Sequence, residues 1–415
     1  MTEYEIDFEV IIIGGGASGF FTAINLALER PGYRIAILEK SNEVLNKVRI
    51  SGGGRCNVTH AEFIPNELAK NYPRGKKELK GPFHNFCTGD TIDFFETRGV
   101  KLKIEEDGRI FPVSDSSQTI INCFLTEAEK LGVQIFKSCA VTDIQEEQNK
   151  WHIKTTKKNF ISDYLVVCSG SSPKMWKLIK KLGHTIVPPV PSLFTFNCKD
   201  SRIEGLAGIS TNAGVKIHER EKGKKELFKA SGPLLITHWG FSGPAILKLS
   251  AWAARALAQF DYSFSIEINW LPQLHATDCK IILEEARVSH SKKTVQNFRP
   301  FDIPKRLWLS ALHFCHISFD KQWASLSNKD LNNLAGELTS ATYFIKGKST
   351  YKDEFVTAGG VELKEIDFRT YQSKILPGCY FAGEVLNIDA VTGGFNFQNA
   401  WTGAYMVAKA IAANT

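Results

Sequence analysis

The stretch that decides the fold is VIIIGGGASG, residues 10–19. Its β-branched start, residues 10–13, is typical of a strand buried in a parallel sheet. A glycine-rich turn follows, and the apolar residues after it have helical spacing: Phe20, Ile24, Ala27 and Leu28. A second apolar run at 35–38 predicts another buried strand. Together these segments predict one βαβ unit, since a parallel pair of strands needs about 30 residues.

The glycines of this turn have the spacing of a dinucleotide-binding site. Gly14 permits the tight turn, Gly16 lets a pyrophosphate approach the backbone, and Gly19 lets the helix pack close to the strand. The N-terminus of the helix offers free N–H groups and partial positive charge to the anion. Glu39, which ends the second strand, would accept both ribose hydroxyls and repel a 2′-phosphate. The unit therefore predicts a site for FAD or NAD rather than NADP.

The C-terminal region favours FAD. YFAGE, residues 380–384, predicts a strand that ends in Gly383 and Glu384, and TGGFNFQ, residues 392–398, predicts a glycine turn opening a helix. A second helix N-terminus would stabilise the electron-rich end of a reduced flavin, whereas a simple NAD dehydrogenase has no need of it. The alternative is a loop whose Thr392 or Asn396 only caps the helix.

A third glycine-rich segment, SGGGRCN at 51–57, permits very close approach of the backbone to a ligand. Arg55 is expected to pair with a phosphate or with the carbonyl edge of the flavin. Cys56 is either redox-active or a buried structural residue. The second interpretation is favoured because no resolving cysteine is near in the sequence.

Composition narrows the class of protein. The chain has 415 residues, of which 43% are hydrophobic and 23% charged, as in ordinary globular proteins. Its nine cysteines include no C-x-x-C pair, which is typical of free thiols in a reducing cytosol. The acidic start MTEYEIDFEV and the lack of a long apolar run predict neither a signal peptide nor a membrane span. We expect a cytoplasmic protein.

The net charge of +7 arises partly from two basic clusters, residues 74–77 and 220–225. Both are interpreted as solvated loops. A nucleic-acid surface would require a denser basic stripe with interleaved aromatic residues, so a nucleic-acid partner is not expected.

The pattern of predicted secondary structure changes near Pro188-Pro189-Val190-Pro191. These prolines are expected to exclude regular structure and to mark a domain boundary. Short strands are predicted over 192–265 and mostly helices over 275–340. From about residue 350 the pattern of an α/β domain returns. The pattern predicts a nucleotide-binding domain split in two, with residues of about 190–350 inserted into it.

Together these motifs resemble the aminoacetone-oxidase-type, or YhiN/BaiN-like, family of NAD(P)/FAD-dependent oxidoreductases. The resemblance runs from about residue 8 to the C-terminus. The motifs that carry it are GGGASG, SGGGRCN, ITHWGFSGP (236–244), TAGGVELKEID (357–367), SKILPG (373–378) and YFAGEVLNIDAVTGGFNFQNAW. Several positions depart from the family pattern: Arg49 replaces an apolar residue, His60 an Asn and Asn387 an Asp, and residues 168–171 read Cys-Ser-Gly-Ser instead of a small residue followed by Thr-Gly-Gly.

The resemblance implies an α/β fold in which both chain ends, residues 1–190 and 350–415, build a Rossmann-like FAD-binding domain. It implies an inserted antiparallel β domain at 191–270 and 341–349, with a helical subdomain at 271–340 nested within it. The residues expected to bind FAD are Gly14, Gly15, Gly16, Ala17, Ser18, Gly19, Glu39, Lys40, Arg55, Cys56, Asn57, Val141, Ser169, Gly170, Gly383, Glu384, Gly393, Gly394, Phe395 and Asn396.

The expected activity is hydride transfer at the flavin with an unidentified small-molecule substrate. A second G-x-G-x-x-G unit is absent from the sequence, so no separate nicotinamide domain is expected, and any NAD(P)H that acts as a transient donor is expected to react directly at the flavin face. The catalytic candidates are Cys56 and His238, although His238 also fits a rigid connection to a helix. No metal site is expected. The alternatives are a flavin-dependent RNA-modifying protein and a non-enzymatic redox sensor.

Overall fold

The computed structural model describes residues 5–218, 226–349 and 356–414. The predicted basic loop at 220–225 lies outside the described residues. The chain divides into two compact units. The first unit joins both chain ends, Met1–Val190 and Lys352–Thr415, and the second unit is Pro191–Tyr351.

The elements follow one another along the chain in three blocks. The first block comprises β1 (Glu5–Ile13), α1 (Ala17–Glu29), β2 (Ile35–Leu38), α2 (Asn46–Gly54), β3 (Thr59–His60), α3 (Pro65–Ala69), α4 (Lys80–Asn85), α5 (Thr88–Glu96), β4 (Leu102–Ile104), β5 (Arg109–Pro112), α6 (Ser117–Lys130), β6 (Gln134–Phe136), β7 (Val141–Glu147), β8 (Lys150–Thr155), β9 (Asn159–Val167), α7 (Pro173–Lys181) and β10 (Ile186–Ser192). The second block comprises β11 (Thr195–Asn197), β12 (Ser210–His218), β13 (Glu226–Thr237), β14 (Gly240–Ser242), α8 (Pro244–Gln259), β15 (Ser263–Asn269), α9 (Ala276–Ser289), α10 (Lys305–Phe314), α11 (Asn328–Ser340), β16 (Ala341–Lys346) and β17 (Lys348–Ser349). The last block, which returns to the first unit, comprises β18 (Val356–Val361), β19 (Ile366–Asp367), β20 (Gln372–Ser373), β21 (Cys379–Phe381) and α12 (Phe395–Ala413).

A parallel sheet forms the centre of the first unit. Strands β21, β9, β1, β2 and β6 are neighbours in that order, and every pair among them is parallel. Their last residues are level, because Ile13 lies opposite both Leu38 and Val167, and Val167 lies opposite Phe381. The loops after β1, β2, β9 and β21 therefore leave the same carboxyl edge, where ligands of open α/β sheets bind. The α/β class and the Rossmann-like domain built from both chain ends are confirmed.

The proline-rich segment is a strand, so the prediction that residues 188–191 exclude regular structure is wrong. Strand β10 pairs with β18 in a two-stranded sheet. Proline is tolerated in an edge strand, where its missing N–H does not interrupt a ladder on both sides. The backbones of β10 and β18 lie very close together at this point, because a Cβ on Gly359 would lie 2.6 Å from the Cα of Pro189.

The second unit contains an antiparallel sheet in the order β16, β15, β12, β13, β14, β11, β17. The prediction of only short strands over 192–265 is wrong, because β13 has 12 residues and α8 has 16. Helix α8 begins with Pro244 and buries Ile246, Leu249 and Leu257 in the core of this sheet. Helices α9, α10 and α11 have an apolar core of their own, which includes Trp308 and Trp323. Within the described ranges, no helix is both long and apolar enough to cross a membrane.

Candidate dinucleotide site at the carboxyl edge of the parallel sheet

The turn between β1 and α1 requires glycine at two positions. A Cβ on Gly14, whose φ is +115°, would lie 2.4 Å from the carbonyl oxygen of Cys168. A Cβ on Gly19 would lie 2.0 Å from the oxygen of Gly14. A Cβ on Gly16 would meet no atom within 4 Å. Gly14 and Gly19 are therefore explained by the packing of the protein itself, whereas Gly16 is not.

The N-terminus of α1 is open to an anion. Gly16 is its N-cap residue, no side chain caps the helix, and its first turn carries no acidic residue. Helix N-termini leave N–H groups without partners inside the helix and carry partial positive charge. The open space above Gly16 and the uncapped first turn, Ala17 to Gly19, fit a pyrophosphate without displacement of a protein group.

Glu39 is held beside this turn. Its carboxylate accepts hydrogen bonds from the N–H of Gly15 at 2.9 Å and of Ser41 at 2.8 Å. A carboxylate has about four acceptor sites, so these two bonds leave capacity for ribose hydroxyls. The chain that leads to Val141 lies alongside, since the N–H of Cys139 donates to the oxygen of Glu39 at 2.8 Å. The neighbouring Lys40 is exposed.

The loops after β9 and β21 meet the same turn. The hypothetical Cβ of Gly14 would lie 3.1 Å from the Cα of Ser169, and that of Gly170 would lie 3.8 Å from Oε2 of Glu384. A Cβ on Gly383 would lie 2.8 Å from the Ser18 hydroxyl of α1. The structure thus brings together predicted site residues from three separate strand ends.

Glu384 has partners that the sequence analysis missed. Its carboxylate pairs with the ammonium of Lys47 in α2 and accepts a hydrogen bond from the N–H of Thr357 at 3.2 Å. Lys47 also donates to the hydroxyl of Ser171 at 3.4 Å. A single lysine in a helix gives no sequence signal for a contact of this kind, because its partners lie more than 100 residues away in the chain.

Helix α12 presents the second open N-terminus. Its N-cap residue, Gly394, has a φ of +95°, no side chain caps it, and its first turn carries no acidic residue. The alternative in which Thr392 or Asn396 caps the helix is not observed. Instead, the Asn396 side chain makes two hydrogen bonds to the backbone of Ala390, at 3.0 and 3.3 Å. Phe395, the first helical residue, is buried.

Asn57 lies against this second N-terminus. A Cβ on Gly394 would lie 2.8 Å from Oδ1 of Asn57 and 2.6 Å from the backbone of Thr59. Within the part of the chain that the structure describes, Oδ1 of Asn57 is buried without a hydrogen-bond partner. Buried acceptors are normally paired, so this oxygen fits an N–H group of a ligand.

The two open N-termini point to the same edge of the unit because α1 and α12 run in the same direction. Gly383 lies between Ser18, the second residue of α1, and Ala400, the sixth residue of α12. At the other ends, Arg30 Nε donates to the oxygen of Ala412 at 2.8 Å and Lys409 pairs with Glu29 at 2.7 Å. Helix α12 therefore begins about four residues, or about 6 Å, beyond α1. This stagger suits an extended dinucleotide with its pyrophosphate at α1 and its ring at α12.

A buried ion pair holds the loop that leads into α12. Arg74 makes a two-point pair with Asp389, whose side chain is 0% exposed. The interpretation of residues 74–77 as a solvated loop is therefore wrong for Arg74, which is only 13% exposed, and holds for the exposed Lys76 and Lys77. A buried carboxylate requires a counter-charge, and Arg74 supplies it.

The SGGG segment is an open backbone turn at the end of α2. Gly52, Gly53 and Gly54 all have positive φ, and a Cβ on either of the last two would meet nothing within 4 Å. Arg55 does not point a free charge at a phosphate. Its guanidinium pairs with Glu105 at 2.7 Å and with Asp115 at 3.4 Å, so its charge is already balanced.

The Cys56 thiol is fully buried, and burial raises its pKa to about 12. Thiol chemistry requires the thiolate, so this environment supports the structural interpretation.

We expect Cys56→Ala to retain FAD binding and to lose only about 1 kcal/mol of stability, for the small cavity that it leaves. The measurement is the flavin content and turnover of the variant. A loss of turnover with full flavin content would instead make Cys56 a catalytic residue.

His238 lies in the second unit, in the exposed turn between β13 and β14. No hydrogen bond to its imidazole is observed among the described residues. A general base needs a partner that orients its ring. The surroundings of His238 therefore favour the interpretation of ITHWGFSGP as a connection between β13, β14 and α8.

Comparison with known proteins decides the family. The model of the HI0933-like protein Rossmann domain matches residues 8–410. The chain belongs to this family. Among its relatives is a ribosomal RNA dihydrouridine synthase of Escherichia coli K12, 28% identical over 410 residues and aligned over 97% of both chains. Another is a 3-dehydro-bile acid delta(4,6)-reductase of Clostridium scindens, 26% identical, with 97% of this chain and 98% of the relative aligned. The resemblance seen in the sequence is confirmed.

Solved structures agree on the fold of this HI0933-like protein. A 3-ketosteroid-delta4-(5alpha)-dehydrogenase of Rhodococcus jostii matches with a TM-score of 0.53 at 10% identity, over 100% of this chain and 98% of the other. A flavocytochrome c3 fumarate reductase matches with a TM-score of 0.50 at 13% identity, over 98% and 78%. The protein is a flavin-dependent oxidoreductase of the FAD-binding Rossmann type, and its family favours an enzyme over a redox sensor.

Proposed function

We propose that the protein is an FAD-dependent reductase of a small molecule, which takes its electrons directly from NAD(P)H. The observation that carries the proposal is the pair of parallel helices α1 and α12, whose uncapped N-termini meet one edge of one sheet at a stagger of about 6 Å. A ligand with an anionic centre and a distant ring that becomes electron-rich is suited to two such termini.

The residues divide between the two ends of the cofactor. The first turn of α1 would hold the pyrophosphate, and Glu39 would accept the ribose hydroxyls. Gly393 and Gly394 would bring the N-terminus of α12 to the flavin ring, and Asn57 Oδ1 would accept from a ring N–H. When bound, FAD supplies hydride transfer. The chain's own groups orient it and stabilise the charge that reduction places on it.

The direction of the reaction is proposed from the relatives. The formation of dihydrouridine and the reduction of delta(4,6) bonds both add hydrogen to carbon–carbon double bonds. We infer that this chain likewise reduces a carbon–carbon double bond conjugated to a carbonyl group, because the carbonyl accepts the negative charge that develops when hydride adds.

Anaerobic reduction of the FAD-loaded protein tests this function. We expect NADH or NADPH to bleach the flavin absorption, and a conjugated cyclic enone such as 2-cyclohexenone to restore it. Bleaching only by a reduced organic substrate, with no response to either nicotinamide, would contradict the reductase and make the protein a dehydrogenase or oxidase.

A second candidate is reduction of uridine in RNA. Two relatives, from Escherichia coli and Haemophilus influenzae, are named ribosomal RNA dihydrouridine synthases, and each aligns with at least 97% of this chain. The net charge of +7 is compatible with a polyanion. Salt-dependent RNA binding together with dihydrouridine formation in ribosomal RNA would favour this candidate. The absence of RNA binding at low salt would leave the small molecule as the substrate.

A further inference from the structure

The imidazole of His60 is hydrogen-bonded to the turn that precedes α12. Nδ1 of His60 donates a hydrogen bond to the oxygen of Gly393 at 3.0 Å. The ring also packs on Phe395, with centroids 4.5 Å apart at 31°. Because the oxygen of Gly393 can only accept, Nδ1 carries a proton, and a neutral ring leaves Nε2 as the free acceptor.

Nε2 is the atom at which His60 can take up a proton. It faces Gly108, where a Cβ would lie 2.7 Å away, and the part of the chain that the structure describes gives it no hydrogen-bond partner. His60 is half-buried, so a proton can be exchanged with solvent. Imidazole is the side chain whose charge changes between about pH 5 and 8.

The charged groups around the ring allow an imidazolium. From the β4–β5 turn, Asp107 lies close enough that His60 contributes to lowering the pKa of its carboxyl. Burial opposes this lowering, and the hydrogen bond from Arg109 is the larger favourable cause. Arg109 is itself paired with Asp107 at 2.7 Å and with Glu105 at 3.2 Å.

Two other elements against the ring carry a carboxylate each. Glu62, on the same segment as His60, accepts from the N–H of Ile64, and Asp90 of α5 accepts from the N–H of Cys87. The first turn of α12 carries no acidic side chain. An added proton on Nε2 would place one further positive charge next to the open N-terminus of α12.

We propose that His60 takes up a proton when FAD bound at this site is reduced, and that the imidazolium stabilises the reduced cofactor through the Gly393–Gly394 turn. The inference rests on the proposed function. Two electrons come from the external reductant, one proton from solvent goes to the flavin ring, and a second proton from solvent goes to Nε2 of His60. The positive charge adds to that of the helix N-terminus where the reduced ring is electron-rich.

The test is the reduction equilibrium of the bound flavin against a reference dye, between about pH 5 and 8. The proteins compared are the FAD-loaded wild type, His60→Asn and His84→Asn. Asparagine keeps a donor for the oxygen of Gly393 but cannot be protonated. His84 is an exposed imidazole in α4 of the same unit, and its replacement is the matched control.

Between about pH 5 and 8, we expect the equilibrium constants for reduction of the wild type and of His84→Asn to fall by up to about 100-fold per pH unit. The equilibrium constant of His60→Asn is expected to fall only about tenfold per pH unit. The midpoint potentials of the wild type and the variant would then diverge by about 30 mV per pH unit. At acidic pH the variant lacks the positive charge of the imidazolium, so its flavin should be harder to reduce than that of the wild type. At alkaline pH His60 is neutral in the wild type as well, so the two equilibrium constants should be equal.

Parallel curves for wild type and His60→Asn would overturn the role of His60 while leaving FAD binding intact. If none of the three proteins binds FAD, the proposed function fails first, and the inference fails with it. If His60→Asn does not fold, the wild-type curve decides alone. A fall of only about tenfold per pH unit over the whole range would then overturn the proposal.

Discussion

Replacement of Gly16 by alanine is expected to abolish tight FAD binding while leaving the fold intact. A Cβ at this position touches no atom of the protein, and the backbone does not have positive φ. The methyl group would instead occupy the space in which a pyrophosphate approaches the N-terminus of α1. Loss of one or two hydrogen bonds to a charged group costs about 1.5–3 kcal/mol each. The affinity for FAD should therefore fall on the order of 100-fold, with about tenfold as the smallest expected loss.

The measurement is FAD titration of the apoprotein, followed by flavin fluorescence, together with the thermal midpoint of the unliganded protein. Gly81→Ala is the matched control, because Gly81 also has open space, does not have positive φ and lies in α4 of the same unit. Gly19→Ala provides the contrast, since its Cβ would collide with the oxygen of Gly14 and should destabilise the apoprotein itself. Wild-type affinity in Gly16→Ala would show that the pyrophosphate does not bind at α1.

Arg74→Met is expected to cause the largest loss of stability among the side chains near the site. It leaves the Asp389 carboxylate fully buried without its counter-charge. Removing one partner of a buried pair costs about 3–5 kcal/mol. FAD binding should weaken as well, because Asp389 lies in the loop that leads into Gly393 and Gly394.

Urea unfolding followed by tryptophan fluorescence measures this cost. The control is Arg369→Ala, because Arg369 is also paired with an aspartate, Asp367, but is 89% exposed. Exposed pairs contribute about 0–1 kcal/mol. The double variant Arg74→Met with Asp389→Leu should recover much of the stability, since apolar residues can replace a buried ion pair. An Arg74→Met protein as stable as Arg369→Ala would contradict the assigned role of the pair.

The fold of the nucleotide-binding unit was predictable because its signals are local. The β1 strand, the Gly14–Gly19 turn, α1 and Glu39 lie within 35 residues, 5–39, and each follows from apolar spacing or from the demands of a tight turn. The C-terminal motifs were also readable, since a glycine turn that opens a helix is recognisable without its surroundings. For this reason the elements that carry the candidate site could be predicted.

The partners inside the site could not be predicted because they are distant in the chain. Lys47 and Glu384 are 337 residues apart, and Arg74 and Asp389 are 315 residues apart. No periodicity or spacing links such pairs, so Arg74 was interpreted as a solvated residue and Lys47 gave no signal. The error at β10 has a related cause, since prolines exclude a central strand but not an edge strand. That distinction depends on the partner strand β18, about 170 residues away.

The most direct test of the central claim is the flavin content of the purified protein, before and after incubation with FAD and with FMN. The account predicts flavin absorption bands, about one FAD released per chain on denaturation, and a strong preference for FAD, because FMN lacks the pyrophosphate and adenosine that α1 and Glu39 would hold. A protein that takes up no flavin, or that binds FMN as tightly as FAD, would contradict it.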